Sequence, residues 1–297
     1  MKKIILIGGS AFDYIATSEQ PLEYKVSNSG KLSIAFGGVT RNVAHNLAML
    51  GNKVTVVTTL GHPSEMSRLL KQHYQSLGTK VIDVPTKFQT STYVAINDSN
   101  HDMELAIFDN RAVSDITPSF IKKIANIINK HDYIFIDGNV SKITIEYICN
   151  RFKHKKIFVD PIAPEFVHKF LNVLDKLYLM KCNIYEARAL VNQRKIDKET
   201  LIKAIFKKGL KNIVVSNARK DVYYGLNKKN IYHYPVTQFK KIANTTGCGD
   251  ALMSGIMDHL ALGTSFKEAI SFGNKLANLT LMSYEANSSK LKQYAHK

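Results

Sequence analysis

The sequence predicts an α/β protein: a doubly wound, mainly parallel sheet with helices on both faces, plus a small β-sheet lid. Three observations carry this. Short apolar runs such as Tyr133–Asp137 and Ile157–Asp160 alternate with longer segments of helical period. Two of the helical segments follow glycine-rich turns, Gly37-Gly38 and Gly247-Cys248-Gly249. Finally, Thr90–Ile96 and Met103–Phe108 are joined by Asn97-Asp98-Ser99-Asn100, a hairpin signal that breaks the βα rhythm.

Lys3–Gly9 reads as the first strand, running into Gly8–Asp13. Open α/β sheets bind ligands beyond the carboxyl ends of their strands, so Asp13 is a candidate substrate contact, with a turn aspartate as the alternative. Residues 14–36 carry Pro21, Asn28 and Gly30 without helical period, and supply lid strands together with about 90–109. Val39, Val43, Leu47 and Leu50 share one helical face, and Gly51 ends that helix. Asn42 lies one turn in, beside Gly38, as a ligand contact or a solvated polar residue. Val54–Thr58 reads as a strand, Ser64 caps a helix ended by Gly78, and Val81–Val84 is a short strand. Thr117-Pro118 opens a helix in the order of cap and first-turn proline. Ser141 caps the helix between the strands Tyr133–Asp137 and Ile157–Asp160. Leu177–Met180 leads to Asn183-Ile184-Tyr185-Glu186, where another helix begins, and Asp197 caps the next, which ends at Gly209. Ile213–Ser216 is a strand, Val222–Tyr224 and Ile231–Tyr234 an antiparallel edge, and helices at about 247–262 and 265–283 finish the chain. With no internal repeat or linker, 1–297 is expected to be a single domain.

The chain of 297 residues is 45% hydrophobic and 22% charged, ordinary for a soluble globular protein. No apolar run approaches a membrane span, and Ile4–Ile7 after Met1-Lys2-Lys3 is too short for a signal peptide. Cys149, Cys182 and Cys248 show no metal or disulfide spacing, which suggests a reduced, cytoplasmic setting. The formal net charge of +17 comes from lysines scattered along the chain rather than gathered in one stripe. A compositional bias explains it better than a nucleic-acid surface, although a basic molecule still attracts an anionic nucleotide.

The chemistry centres on Asn244-Thr245-Thr246-Gly247-Cys248-Gly249-Asp250. Behind it Met253, Ile256, Met257 and Leu260 recur at helical spacing. A glycine-rich turn opening a helix presents N–H groups and the positive dipole end, which suits a phosphate. Asp250 in the first turn either stabilises the helix start or accepts a proton from an attacking hydroxyl beside that phosphate. Neither a Walker-type phosphate loop nor a complete dinucleotide fingerprint is present.

Taken together, Gly37-Gly38…Asn42-x-Ala44…Leu50-Gly51, Asn183-x-x-Glu186 and Asn244–Ala251 resemble the ordered signatures of the ribokinase-like (PfkB-type) sugar and nucleoside kinases. Gly37-Gly38-Val39-Thr40-Arg41-Asn42, Asn244, Asp102–Ile107 and Val159-Asp160-Pro161 resemble the pseudouridine kinase branch. The resemblance implies a ribokinase-like fold and transfer of a phosphoryl group from ATP, with Mg²⁺, to a nucleoside or sugar hydroxyl. It implies Asp250 as general base and Gly247, Cys248 and Gly249 as anion hole. It implies Asp13, Gly38 and Asn42 as substrate contacts, Asn183, Ser216 and Asn274 as ATP contacts, and Glu186 as a metal contact through water. K⁺ is a further candidate ion, since Asn244 stands near the monovalent-cation site of many members. Cys248 replaces the usual Ala, which puts a thiol, expected to be sensitive to oxidation, beside the anion hole. Other acceptors of the same family, and a non-catalytic nucleic-acid-binding protein, are the alternative readings. No membrane partner is expected, and a protruding lid hairpin suits a homodimer.

Overall fold

The computed structural model describes residues 2–100, 102–218, 220–236, 242–243 and 245–296. Asn244, named in the motifs above, lies outside them. Along the chain the strands are β1 (Ile4–Ile7), β2 (Ala11–Ser18), β3 (Gly30–Gly37), β4 (Val54–Thr58), β5 (Lys80–Asp83), β6 (Ser91–Asn97) and β7 (Met103–Asp109), followed by β8 (Tyr133–Asp137), β9 (Lys156–Asp160), β10 (Leu179–Asn183), β11 (Ile213–Asn217), β12 (Asp221–Leu226) and β13 (Asn230–Pro235). The helices are α1 (Val39–Met49), α2 (Glu65–Ser76), α3 (Pro118–Lys123), α4 (Ala125–Asn129), α5 (Lys142–Arg151), α6 (Ile184–Val191), α7 (Lys198–Lys207), α8 (Cys248–Leu262) and α9 (Phe266–Leu281).

The larger sheet has the order β13-β12-β11-β10-β9-β8-β1-β4-β5. Its strands run parallel from β5 to β11, and β12 and β13 add the antiparallel edge. Side chains alternate across a strand, so one run feeds two cores. Ile5, Ile7, Ile134 and Ile136 join the cluster that includes residues of α5, α6 and α7. Ile4, Leu6, Tyr133 and Phe135 join the cluster that includes residues of α1, α2 and α8. Strands covered on both faces read as unbroken apolar runs, which is why the sequence located them well. The 3₁₀ helix Pro164–Lys176 had no counterpart in the sequence reading.

A small separate sheet has the order β3-β2-β6-β7. It corrects two expectations. Its β2 begins at Ala11, before the expected residue 14, because Ala11–Ser18 pairs along its length with β3. Asp13 therefore lies within a strand rather than in a turn after β1. The register puts Tyr14, Ile34, Val94 and Ile107 on one face of this sheet, and Asp13, Tyr93 and Phe108 on the other.

Candidate active site

The carboxyl ends of the parallel strands collect the polar residues. β8 ends in Asp137, β9 in Asp160, β10 in Asn183 and β11 in Asn217. Asp137 is fully buried and ties three segments together. It accepts hydrogen bonds from the Gly9 N–H at 2.9 Å, from the Thr40 N–H and hydroxyl at 3.2 and 2.8 Å, and from the Asn139 N–H at 2.9 Å. This fixes the start of α1 against the end of β1.

The glycine pair before α1 is needed for close approach. A Cβ on Gly37 would lie 2.0 Å from Asp13 Oδ1, and Gly38, at φ +93°, would press one 2.7 Å from the Gly9 carbonyl. The Asp13 carboxylate thus packs on bare backbone. Burial raises its pKa, with Arg41 opposing. The Arg41 guanidinium is itself buried; its Nη1 donates to Asn287 Oδ1 at 2.5 Å and its Nε to the Gly37 carbonyl at 3.3 Å. Burial lowers its pKa to about 10, with Asp13 and Asp250 among the groups that hold it up.

Gly247 enters α8 in the left-handed region at φ +81° and, being glycine, brings no side-chain cap of its own. A Cβ there would lie 2.2 Å from the Ala286 carbonyl, so only glycine lets the turn seat. Asp250 in the first turn is buried, and its Oδ2 accepts from Asn42 Nδ2 at 2.7 Å. Asn42 is therefore buried and bonded, not a solvated helix residue. Burial raises the Asp250 pKa to about 7; Lys181 pulls it down, Asp160 pushes it up, and Asn42 and Arg41 also lower it.

Lys181 links the two halves of the site. Its Nζ lies 2.5 Å from Asp160 Oδ2, both groups being nearly inaccessible, and 2.7 Å from the place a Cβ on Gly249 would take. Burial works against the ammonium charge, yet Asp160, Glu186 and Asp250 together hold its pKa above the usual lysine value. Glu186 is raised to about 7 by burial and by Asp160. Its oxygens accept from the Asn183 N–H at 2.8 Å and from Asn183 Nδ2 at 2.6 Å, a capping box that starts α6. Asn183 sits level with Ser216 on the neighbouring strand.

A cavity of about 590 Å³ brings together Asp13, Gly38, Asn42, Gly247 and Asp250. Tyr93 and Phe108 from the small sheet and Phe166 from the 3₁₀ helix after β9 add aromatic walls. Asn183, Glu186 and Ser216 do not line it; of the three, Glu186 is coupled to Asp250 through the Lys181 charge. Asn274 lines a different groove of about 520 Å³ with Tyr234, His259 and Lys275, and its Nδ2 is spent on the Ile270 carbonyl at 2.9 Å. The Cys248 thiol is pushed up to about 12 by burial and by Asp250.

The sequence reading missed Arg41, Asp137 and Asn287 as parts of this centre, and it quoted Asp160 without a role. The clearest overlooked signal is Lys181, a charged residue inside the apolar run Leu179-Met180-Lys181-Cys182, where lysine is almost never buried unless paired.

A sequence model of the pfkB family carbohydrate kinases matches residues 1–293. The chain is 29% identical over 284 residues to the pseudouridine kinase of Escherichia coli (strain K12), covering 94% of this chain and 90% of that protein. Among solved structures, the ribokinase of Giardia lamblia superposes with a TM-score of 0.86 at 14% identity, covering 99% of both chains. A ribokinase of Arabidopsis thaliana complexed with ribose and ATP superposes at 0.79 and 16% identity, covering 98% of this chain and 97% of that one.

Proposed function

The chain belongs to the pfkB family of carbohydrate kinases, phosphotransferases that act on a hydroxyl group, and we propose that it uses ATP and Mg²⁺ to phosphorylate the 5′-hydroxyl of pseudouridine. The observation that carries this reading is the buried Asp250 carboxylate, lining the cavity in the first turn of a helix led by Gly247 and bonded to Asn42. As the 5′-oxygen attacks the γ-phosphorus, its proton passes to Asp250, the bond to the β,γ-bridging oxygen breaks, and ADP leaves. The N–H groups of Gly247, Cys248 and Gly249 face the charge that builds on the transferring group, a contribution of about 3 kcal/mol per well-placed donor.

Asp13, Gly38 and Asn42 hold the ribose hydroxyls. Asn42 Oδ1 is buried with no partner among the described residues, a deficit that a substrate hydroxyl would make good. Tyr93 and Phe108, opposite each other across β6 and β7, offer flat apolar faces to a base. Asn183, Ser216 and Asn274 serve the nucleotide. Among the described residues no group of three or more His, Cys, Asp or Glu is arranged to hold a metal. That fits an ion carried in on phosphates, with Glu186 reaching it through water. Bound there, Mg²⁺ would neutralise charge on the phosphoryl oxygens. The chain acts as one kinase domain whose small sheet is the lid that excludes water. The exposed outer face of that lid, with Leu32, Ile34, Leu105 and Ile107, pairs with a second copy.

The test is Mg-ATP consumption by purified protein across pseudouridine, uridine, other ribonucleosides, ribose and fructose phosphates, with and without K⁺. A kcat/KM for pseudouridine at least tenfold above every other acceptor is expected. Faster turnover of another acceptor would discard pseudouridine and keep the reaction.

A further inference from the structure

Some of the lysines that are scattered in sequence meet on one edge of the fold. Because β1, β4, β5, β8, β9, β10 and β11 are parallel, their amino ends share the edge opposite the active site. Lys3 and Lys53 immediately precede β1 and β4, whose first residues Ile4 and Val54 are register partners, and Lys80 opens β5 beside them. Lys130 precedes β8 and Lys211 precedes β11. The β12–β13 turn adds Lys229, and the Lys228 N–H donates to the Lys211 carbonyl at 3.1 Å, which seats that turn against the same edge. All these lysines are exposed.

Segments 51–53, 78–80, 129–132, 151–156, 175–178, 207–212 and 227–230 lie along this edge, with Asp132 and Asp175 their acidic residues; the α8–α9 turn, which reaches it through Leu260 against Tyr133 and Phe266 against Tyr178, adds Glu268, whose carboxylate is taken up by Ser265. Asp132 accepts the Lys3 backbone N–H at 2.9 Å, and Asp175 pairs with Lys176 at 3.5 Å. Among the described residues that is the one ion pair on the edge. Helix ends here favour a cation each. Lys207, Lys208 and Lys211 beside Lys228 and Lys229 exceed that need, and like charges held together repel unless an anion lies between them. Strands spaced about 4.8 Å apart make a nine-stranded row about 40 Å long. None of the exposed large apolar side chains lies in these segments, so nothing there would insert into a lipid surface.

We infer that this edge binds the phosphate backbone of a nucleic acid, without reading its bases. The acidic residues Asp137, Asp160, Glu186 and Asp250 sit at the opposite ends of the strands or just beyond, so the two surfaces work independently.

The probe is a fluorescein-labelled 20-nucleotide oligouridylate, followed by fluorescence anisotropy from 50 to 200 mM KCl. The native chain is expected to bind, with log Kobs falling linearly in log salt at a slope of about −4, the value for some six phosphates at about −0.7 each. Lys53→Glu, Lys130→Glu, Lys211→Glu and Lys229→Glu together should weaken binding by about 100-fold at 50 mM while acceptor-dependent ATP turnover is unchanged. The control carries Lys31→Glu, Lys122→Glu, Lys142→Glu and Lys290→Glu, an equal change in net charge, and should lose less than tenfold. Should the first quadruple variant fail to fold, the four Lys→Gln substitutions replace it, with about a tenfold loss expected. Absence of binding by the native chain, equal losses in both variants, or binding to phosphatidylserine vesicles in place of RNA would each overturn the inference.

Discussion

Replacing Asp250 with Asn tests the base directly, because the substitution keeps shape and removes the proton acceptor. Asn42 Nδ2 can still donate to the amide oxygen at position 250, and no cavity opens. General-base catalysis contributes about 10²–10⁴-fold, so kcat should fall by that factor, about 3–5 kcal/mol of barrier. Stability should move the other way. The Asp250 pKa is raised from 3.8 to about 7 in the folded chain, chiefly by burial. Between those values the folded state binds more protons than the unfolded one. The stability tied to this proton is complete below about 3.8 and is lost as pH rises to about 7. Above pH 7 the wild type therefore carries a penalty of at most about 4 kcal/mol, at about 1.4 kcal/mol per pH unit. The Asn variant escapes it. Coupled-enzyme turnover and calorimetry at pH 8 should show an almost inactive protein that melts at a higher temperature than its parent. Near-native kcat would refute the base assignment, and a lower melting temperature would refute the reading of Asp250 as a strained buried carboxylate.

Other expectations follow from the same geometry. In the wild type, kcat/KM should climb tenfold per pH unit below about pH 7 and level off above it, as Asp250 loses its proton; a flat profile from pH 5.5 to 8 contradicts this. Lys181→Met leaves Asp160 buried without its cation, so chemical denaturation should show a loss of about 3–5 kcal/mol, and the acid limb of kcat/KM should move upward because Asp250 loses its largest pKa-lowering neighbour. Gly247→Ala combines a left-handed φ with a Cβ 2.2 Å from the Ala286 carbonyl; about 2–5 kcal/mol of stability and most turnover should go, and a variant matching wild type in both would show that the turn is looser than described. Finally, sedimentation of the native chain should give a dimer, and Ile34→Lys with Ile107→Lys a 33.4 kDa monomer; a monomeric native chain would remove the lid interface.

Much of the architecture was legible in the sequence because its signals are local. Apolar runs buried on both faces, Ser64, Thr117, Ser141 and Asp197 as caps, and Gly51 and Gly78 as stops all act within one helical turn. The glycine turns and Asp250 were legible for the same reason. What needed the tertiary structure were contacts between residues far apart in sequence. Asn42 meets Asp250 across 208 positions, and Arg41 meets Asn287 across 246. The near-neutral pKa of Asp250 depends on its burial beside Lys181 and Asp160, which no spacing reveals. The register of β2 against β3 and β6 likewise decided which of Asp13 and Tyr14 faces the cavity. Some of the lysines make the same point in reverse: scattered along the chain, Lys3, Lys53, Lys80, Lys130 and Lys211 become neighbours only because parallel strands bring their amino ends to one edge.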